Sequence, residues 1–180
     1  MKTRLAVMAS VAAILFSQQA FAKNLCTLIV DAESGKVLLE SGNDCSREVT
    51  PASTFKIAIS LMGFDAGVLK NEKEPAWDYQ QGYPDWGGKN WMNKIDPTAW
   101  LKDAVFWYSQ QVVKKIGQHR FEGYVKAFAY GNEDVSAVDV SAPGQNGVWV
   151  MSSLQISPVQ QIGFLRKVVN RELHVNKHAY

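Results

Sequence analysis

The spacing of apolar positions changes several times along the chain, and each change marks an element. An apolar run from Leu5 through Phe16 stands first. Thr27-Leu-Ile-Val-Asp31 and Val37-Leu-Leu-Glu40, separated by Ala32-Glu-Ser-Gly-Lys36, read as strand, turn and strand. A loop with Pro51 follows, and a helix is predicted from Ser53. Its Phe55, Ile57, Ala58, Leu61, Met62 and Phe64 form a band broad enough for a largely buried helix, and Gly67 stops it. Periodicity is then lost from Asn71 to Pro97, where Pro75, Pro84, the Gly87-Gly88 pair, Trp77, Trp86 and Trp91 make a long aromatic loop that packs against or covers something. Helical spacing returns over Trp100–Ile116, up to Gly117, and again over His119–Ala129. Tyr130 to Val148 is loop. Ser157-Pro158 opens a final helix through Gln161, Phe164, Leu165 and Val168, with proline suited to the first turn. The order is one hairpin followed mostly by helices, and a lone two-stranded hairpin is marginal, so further strands are expected beside it.

Length and composition narrow the picture. At 180 residues, 47% hydrophobic, 20% charged and 11% aromatic, the chain reads as one folded domain rather than a disordered one. Residues 1–22 have a basic start (Lys2, Arg4), the apolar run, and a small-x-small end at Ala20-Phe21-Ala22. This is the pattern of an export signal cut after Ala22, with a retained anchor as the alternative; the run is short against the roughly 20 apolar residues of a spanning helix. The folded domain is then 23–180, and a periplasmic location is expected. Without Lys2 and Arg4, 17 basic residues face 17 acidic ones. That balance gives no reason to expect a nucleic-acid or membrane-surface partner. In an oxidising compartment the two cysteines, Cys26 and Cys45, are candidates for a disulfide across the hairpin. A two-residue turn at Gly35-Lys36 would set them directly opposite; two free buried thiols are the other reading.

The chemistry begins at Ser53-Thr54-Phe55-Lys56. Residues three apart share a helical face, so the Lys56 amine can reach the Ser53 hydroxyl. A helix start offers unpaired N–H groups to a developing oxyanion, and apolar neighbours favour a neutral amine that can act as base. The bland alternative is a cap and a surface charge. Further along stand Ser109 on a helix, Tyr130-Gly131-Asn132 after a helix, and Trp149 before Ser152-Ser153-Leu154-Gln155-Ile156-Ser157-Pro158. Taken singly, each reads as scaffold. His174 and His178 are four apart but have no cysteine or H-E-x-x-H nearby, and no metal site is expected.

In this order the motifs S-T-F-K, a later helical serine, Y-G-N and W-x-x-S-S-L-x-I-S-P resemble the class D β-lactamases of the penicillin-binding and serine β-lactamase superfamily. Thr50 to Gly67 and Gln160 to Arg166 extend the likeness. The resemblance implies an α+β fold, an antiparallel sheet flanked by helices. It implies that Ser53 is acylated by a β-lactam and that Lys56 becomes an N-carboxylated lysine, the general base, needing carbon dioxide or bicarbonate but no other cofactor. Ser109 would relay a proton to the leaving nitrogen. Trp149 would hold the carbamate, and Tyr130 and Asn132 would wall the site. The partner is a small β-lactam, and the protein is expected as a monomer or homodimer conferring antibiotic resistance. Two departures stand out. Asn146-Gly147-Val148-Trp149 leaves one residue before the tryptophan where the family has several, and no K-T-G or K-S-G follows, so a partial domain lacking the C-terminal strands and helix is expected, weakly active or inactive. An acylated but non-hydrolysing penicillin-binding or sensor-type protein, or a secreted binding module, are the alternatives.

Overall fold

In the computed structural model, which describes residues 24–137 and 153–180, the chain opens with the expected antiparallel hairpin of β1 (Thr27–Val30) and β2 (Val37–Ser41). The two-residue turn is not formed. The ladder pairs Thr27 with Ser41 and Val30 with Val37, with an irregularity between Ile29 and Val30. Asp31 is the cause. Its carboxylate accepts from the Ser34 N–H at 2.7 Å and from the Ser34 hydroxyl, bonds that hold its carboxyl below the usual range. Its carbonyl accepts from the Gly35 N–H at 3.0 Å and its own N–H donates to Lys36 O at 2.9 Å, so the turn spans all of Asp31–Lys36. Cys45 therefore meets Cys26 from the turn after β2 and not from across the ladder. The disulfide itself forms as expected, with Cα atoms 4.9 Å apart.

All five residues of β2 are exposed, Leu38 at 60%, and the sheet formed by the described residues has two strands. The hairpin is tied down on one side. Arg166 donates to Ala32 O and Glu33 O, both at 3.1 Å, and Asn170 donates to Ala32 O at 2.9 Å. Gly35 sits at φ +74° against the Arg166 guanidinium, where a Cβ would come within 2.8 Å of it.

The helical body surrounds α1 (Lys56–Asp65), which a 3₁₀ turn, Ala52–Phe55, precedes. Of the predicted apolar band, Phe55, Ala58, Leu61 and Met62 are buried and Phe64 is partly so, but Ile57 is 39% exposed; the band is narrower than expected, and Ile59 joins it. Gly63 lets Leu69 and Val112 close on α1; a Cβ there would lie 2.8–3.0 Å from their side chains. The predicted single helix Trp100–Ile116 is two, α2 (Pro97–Lys102) and α3 (Phe106–Ile116). Ala104 takes φ +52° between them. The break is tertiary in origin: the Trp91 indole donates to Asp103 O at 2.9 Å, and Trp100 O accepts from the Val105 N–H. Gly117, at φ +84°, ends α3 and leads into α4 (Gln118–Ala127). The last helix, α5 (Pro158–Val169), starts as predicted, with a reciprocal Ser157–Gln160 capping box and Pro158 in its first turn.

The aromatic loop does pack inward. Tyr83 stacks on Trp107 with centroids 5.2 Å apart, and Trp77 lies 4.6 Å from Tyr108. The buried polar tips find partners, Trp107 on Trp91 O at 2.8 Å and Tyr108 on Pro75 O at 2.7 Å. The chain's last residues return to the end of α1, where Asp65 accepts from the Tyr124 hydroxyl and from the Asn176 N–H. His178 Nε2 lies 2.6 Å from Lys70 O, a structural contact. Among the described residues no group of three or more His, Cys, Asp or Glu could hold a metal, and no helix is long and apolar enough to cross a membrane. The expected export signal, residues 1–22, lies outside the described residues.

Candidate active site

Ser53 is exposed within the 3₁₀ turn, and Lys56, the first residue of α1, is 4% exposed. The Lys56 amine donates to Ser53 Oγ at 3.0 Å. The turn explains why this spacing works so directly, because side chains at i and i+3 eclipse in 3₁₀ geometry. Burial lowers the Lys56 amine from its ordinary 10.5 to about 8. A base poised near neutrality thus lies within hydrogen-bond reach of an exposed hydroxyl.

Several contacts hold the turn. The Thr54 hydroxyl donates to Pro51 O at 2.6 Å, and its N–H reaches the same carbonyl at 3.1 Å. Ala52 is forced to φ +47°, a left-handed conformation that non-glycine residues adopt at a cost of about 1–3 kcal/mol. Val49 and Ile156 exchange backbone hydrogen bonds at 2.9 and 3.1 Å, joining the approach to Ser53 to the approach to α5.

Tyr130 is fully buried beside the turn. Its ring meets Phe55 edge-on at 4.8 Å and Phe164 at 5.0 Å, and its hydroxyl donates to Gln161 Oε1 at 3.0 Å. Burial pushes its phenol up to about 12, so it stays protonated. Asn132 is committed to backbone. Its side chain accepts from the Gln155 N–H at 3.0 Å and donates to Ser153 O at 2.8 Å, while its own N–H reaches Gln155 O. It clamps the segment leading into α5.

Ser109 lies elsewhere. It is fully buried on α3, and its hydroxyl accepts from the Trp100 indole at 2.8 Å. No described contact joins it to Ser53 or Lys56. Ser109→Ala is expected to cost about 1–3 kcal/mol by orphaning that indole, with the rate of Ser53 acylation unchanged. Urea unfolding and adduct kinetics on one preparation read both, and a slowed acylation at unchanged stability would restore the relay role. Trp149 lies outside the described residues. Gln161 and Thr54 carry contacts that sequence reasoning did not assign. The available signal was helical spacing: positions 161, 164 and 168 share the face of α5 that carries the buried Phe164.

A serine hydrogen-bonded to a buried, weakly basic lysine at the start of a core helix is an arrangement suited to nucleophilic catalysis. The profile of the penicillin-binding protein transpeptidase domain matches residues 25–180, and the chain belongs to that family. Within it, the likeness is to class D β-lactamases. The chain is 42% identical to the β-lactamase OXA-9 of Klebsiella pneumoniae over 155 residues, 86% of this chain and 56% of that one. It is 37% identical to the β-lactamase OXA-1 of Escherichia coli over 155 residues, 86% of this chain and 55% of that one. The crystal structure of the class D β-lactamase OXA-427 superposes with a TM-score of 0.76 at 40% identity, covering 86% of this chain and 62% of that one. The α+β fold is thus that of these enzymes, and the chain spans about half the length of the curated relatives it matches.

Proposed function

We propose that this chain carries the acylation centre of a serine β-lactamase, with Ser53 as nucleophile and Lys56 as its base. The observation that carries this reading is the 3.0 Å contact between a buried, weakly basic Lys56 amine and Ser53 Oγ. About a tenth of the amine is neutral at pH 7 for a value near 8. That fraction can take the Ser53 proton while Ser53 Oγ bonds the lactam carbonyl carbon. The carbonyl carbon–nitrogen bond then breaks, the ring nitrogen gains a proton, and an ester on Ser53 remains for water to cleave. The OXA-9 and OXA-1 relatives are named β-lactamases, which supports the substrate class.

The neutral amine also fits carboxylation, since only an unprotonated lysine adds carbon dioxide. Carbon dioxide bound there would supply a carboxylate-type base beside Ser53. Phe55 and the rest of the α1 core would keep water from the Lys56 stem. Release into the periplasm is part of the same reading. It is supported by the pattern of residues 1–22 and by the Cys26–Cys45 disulfide, which suits an oxidising compartment.

Intact-mass analysis of the chain mixed with a penicillin in bicarbonate tests this. A transient adduct of one penicillin, absent in Ser53→Ala, with opened penicillin accumulating, is the expected result. A persistent adduct would favour the non-hydrolysing penicillin-binding or sensor-type alternative. No adduct in the unaltered chain would overturn both.

A further inference from the structure

One side chain of α5 reaches across to the turn that carries the nucleophile. Gln161 Oε1 accepts from the Tyr130 hydroxyl at 3.0 Å and lies 3.3 Å from Thr54 Oγ1, in the residue next to Ser53. Thr54 is the residue that closes the turn onto Pro51 O, with Ala52 held at φ +47° inside it. A left-handed alanine persists only where its surroundings over-determine it. Among the described residues the other end of the Gln161 amide, Nε2, is buried without a hydrogen-bond partner. A buried donor without a partner among these residues costs free energy, so the amide is not explained by packing alone. What an apolar side chain lacks is the acceptor that takes the Tyr130 proton and lies beside the Thr54 hydroxyl, whose own proton goes to Pro51 O. The amide also arrives from a rigid platform, because the Gln161 N–H donates to Ser157 O at 2.8 Å within the capped first turn of α5.

We propose that Gln161 is a positioning residue for acyl transfer: through Thr54 and Tyr130 it holds the turn in the conformation that presents Ser53 Oγ to the Lys56 amine. This rests on Ser53 being the nucleophile. It assigns Gln161 no contact with substrate.

The test compares the rate at which Ser53 is labelled by two electrophiles, a penicillin and an alkyl fluorophosphonate, in the unaltered chain, in Gln161→Met and in Tyr130→Phe/Gln161→Met. In the fluorophosphonate reaction Ser53 Oγ bonds phosphorus, fluoride leaves, and the hydroxyl proton passes to the Lys56 amine. That reaction needs an activated serine but no recognition of a β-lactam. Gln161→Met is expected to slow both reactions about tenfold or more, with the maximal labelling rate falling and the half-saturating concentration unchanged. The double variant, with no polar group left orphaned, is expected to melt at or above the temperature of the unaltered chain and still to label slowly. A purely structural role would move the melting temperature and leave the labelling rates alone.

Equal labelling rates in all three chains overturn the proposal. So does slowing with penicillin alone, which would place the effect on the substrate. An unaltered chain that takes the fluorophosphonate but not the penicillin ends the β-lactamase reading, while the fluorophosphonate rates still decide the role of Gln161. A Ser53 inert to both ends both. Should Gln161→Met lose its cooperative melt, Tyr130→Phe removes the 3.0 Å bond to Gln161 Oε1 while the Thr54–Pro51 bond stays in place. It is then expected to slow both reactions alike, and unchanged rates in it would overturn the proposal.

Discussion

Lys56→Met is expected to stabilise the protein by about 3 kcal/mol near pH 7 while removing its chemistry. The stability follows from the fall of the Lys56 amine from 10.5 to about 8 on folding, at about 1.36 kcal/mol for each pH unit. Below about pH 8 the folded and unfolded chains both hold the proton, and the folded chain bears the full cost of a buried ammonium. Between about 8 and 10.5 the folded chain has released the proton while the unfolded chain retains it, so the stability of the unaltered protein rises with pH across that window. Methionine fills a similar volume with nothing to desolvate. The advantage of the variant should therefore be flat below about pH 8 and vanish by about 10.5. Urea unfolding of both proteins across this range measures it. A gap that ignores pH, or a less stable variant, would mean that burial is not what lowers the amine. The same variant is expected to lose at least the 10²–10⁴-fold that a positioned base typically contributes to acylation.

Gly131→Ala is expected to be the most damaging small substitution near the site, at about 3–4 kcal/mol. Gly131 has φ +57°, and a Cβ there would lie 1.9 Å from Gln155 O. The left-handed backbone alone costs alanine about 1–2 kcal/mol. Relief of the clash must also push away the segment that Asn132 clamps, losing hydrogen bonds worth about 1 kcal/mol each. Thermal unfolding of Gly131→Ala beside Asn132→Ala reads the expected order, with the glycine variant melting lower. A near-neutral Gly131→Ala would show that the two segments separate freely. Gly131 is thus fixed by close approach as well as by turn chemistry.

The features legible from sequence are those set by neighbours along the chain. Ser53 and Lys56 meet because three residues make one turn, and Ser157-Pro158 caps a helix wherever it lies. The buried band of α1 follows from its apolar spacing. The features that escaped are set by distant groups. Nothing near Asp103 announces a helix break; the Trp91 indole, arriving from the aromatic loop, imposes it. Ser109 sits where an amphipathic pattern allows a polar residue, but Trp100 claims its hydroxyl. Gln160 and Gln161 are adjacent and alike in sequence, yet one completes a capping box and the other reaches Tyr130, a division that only the rotation of α5 decides. The hairpin register failed for a local reason, the Asp31 side chain folding the turn around itself.

The exposed β2 strand has a consequence for how this protein behaves in a crowded solution. Among the described residues β2 pairs on one side only, and a strand edge of this kind, with Leu38 and Leu39 exposed, is a template on which an extended segment can add. Partially opened copies at high concentration would meet that template on one another. Lys36 and Glu40 are the charges placed against it. Loss of soluble protein on heating or concentration would then be governed by five residues of the hairpin and not by α1.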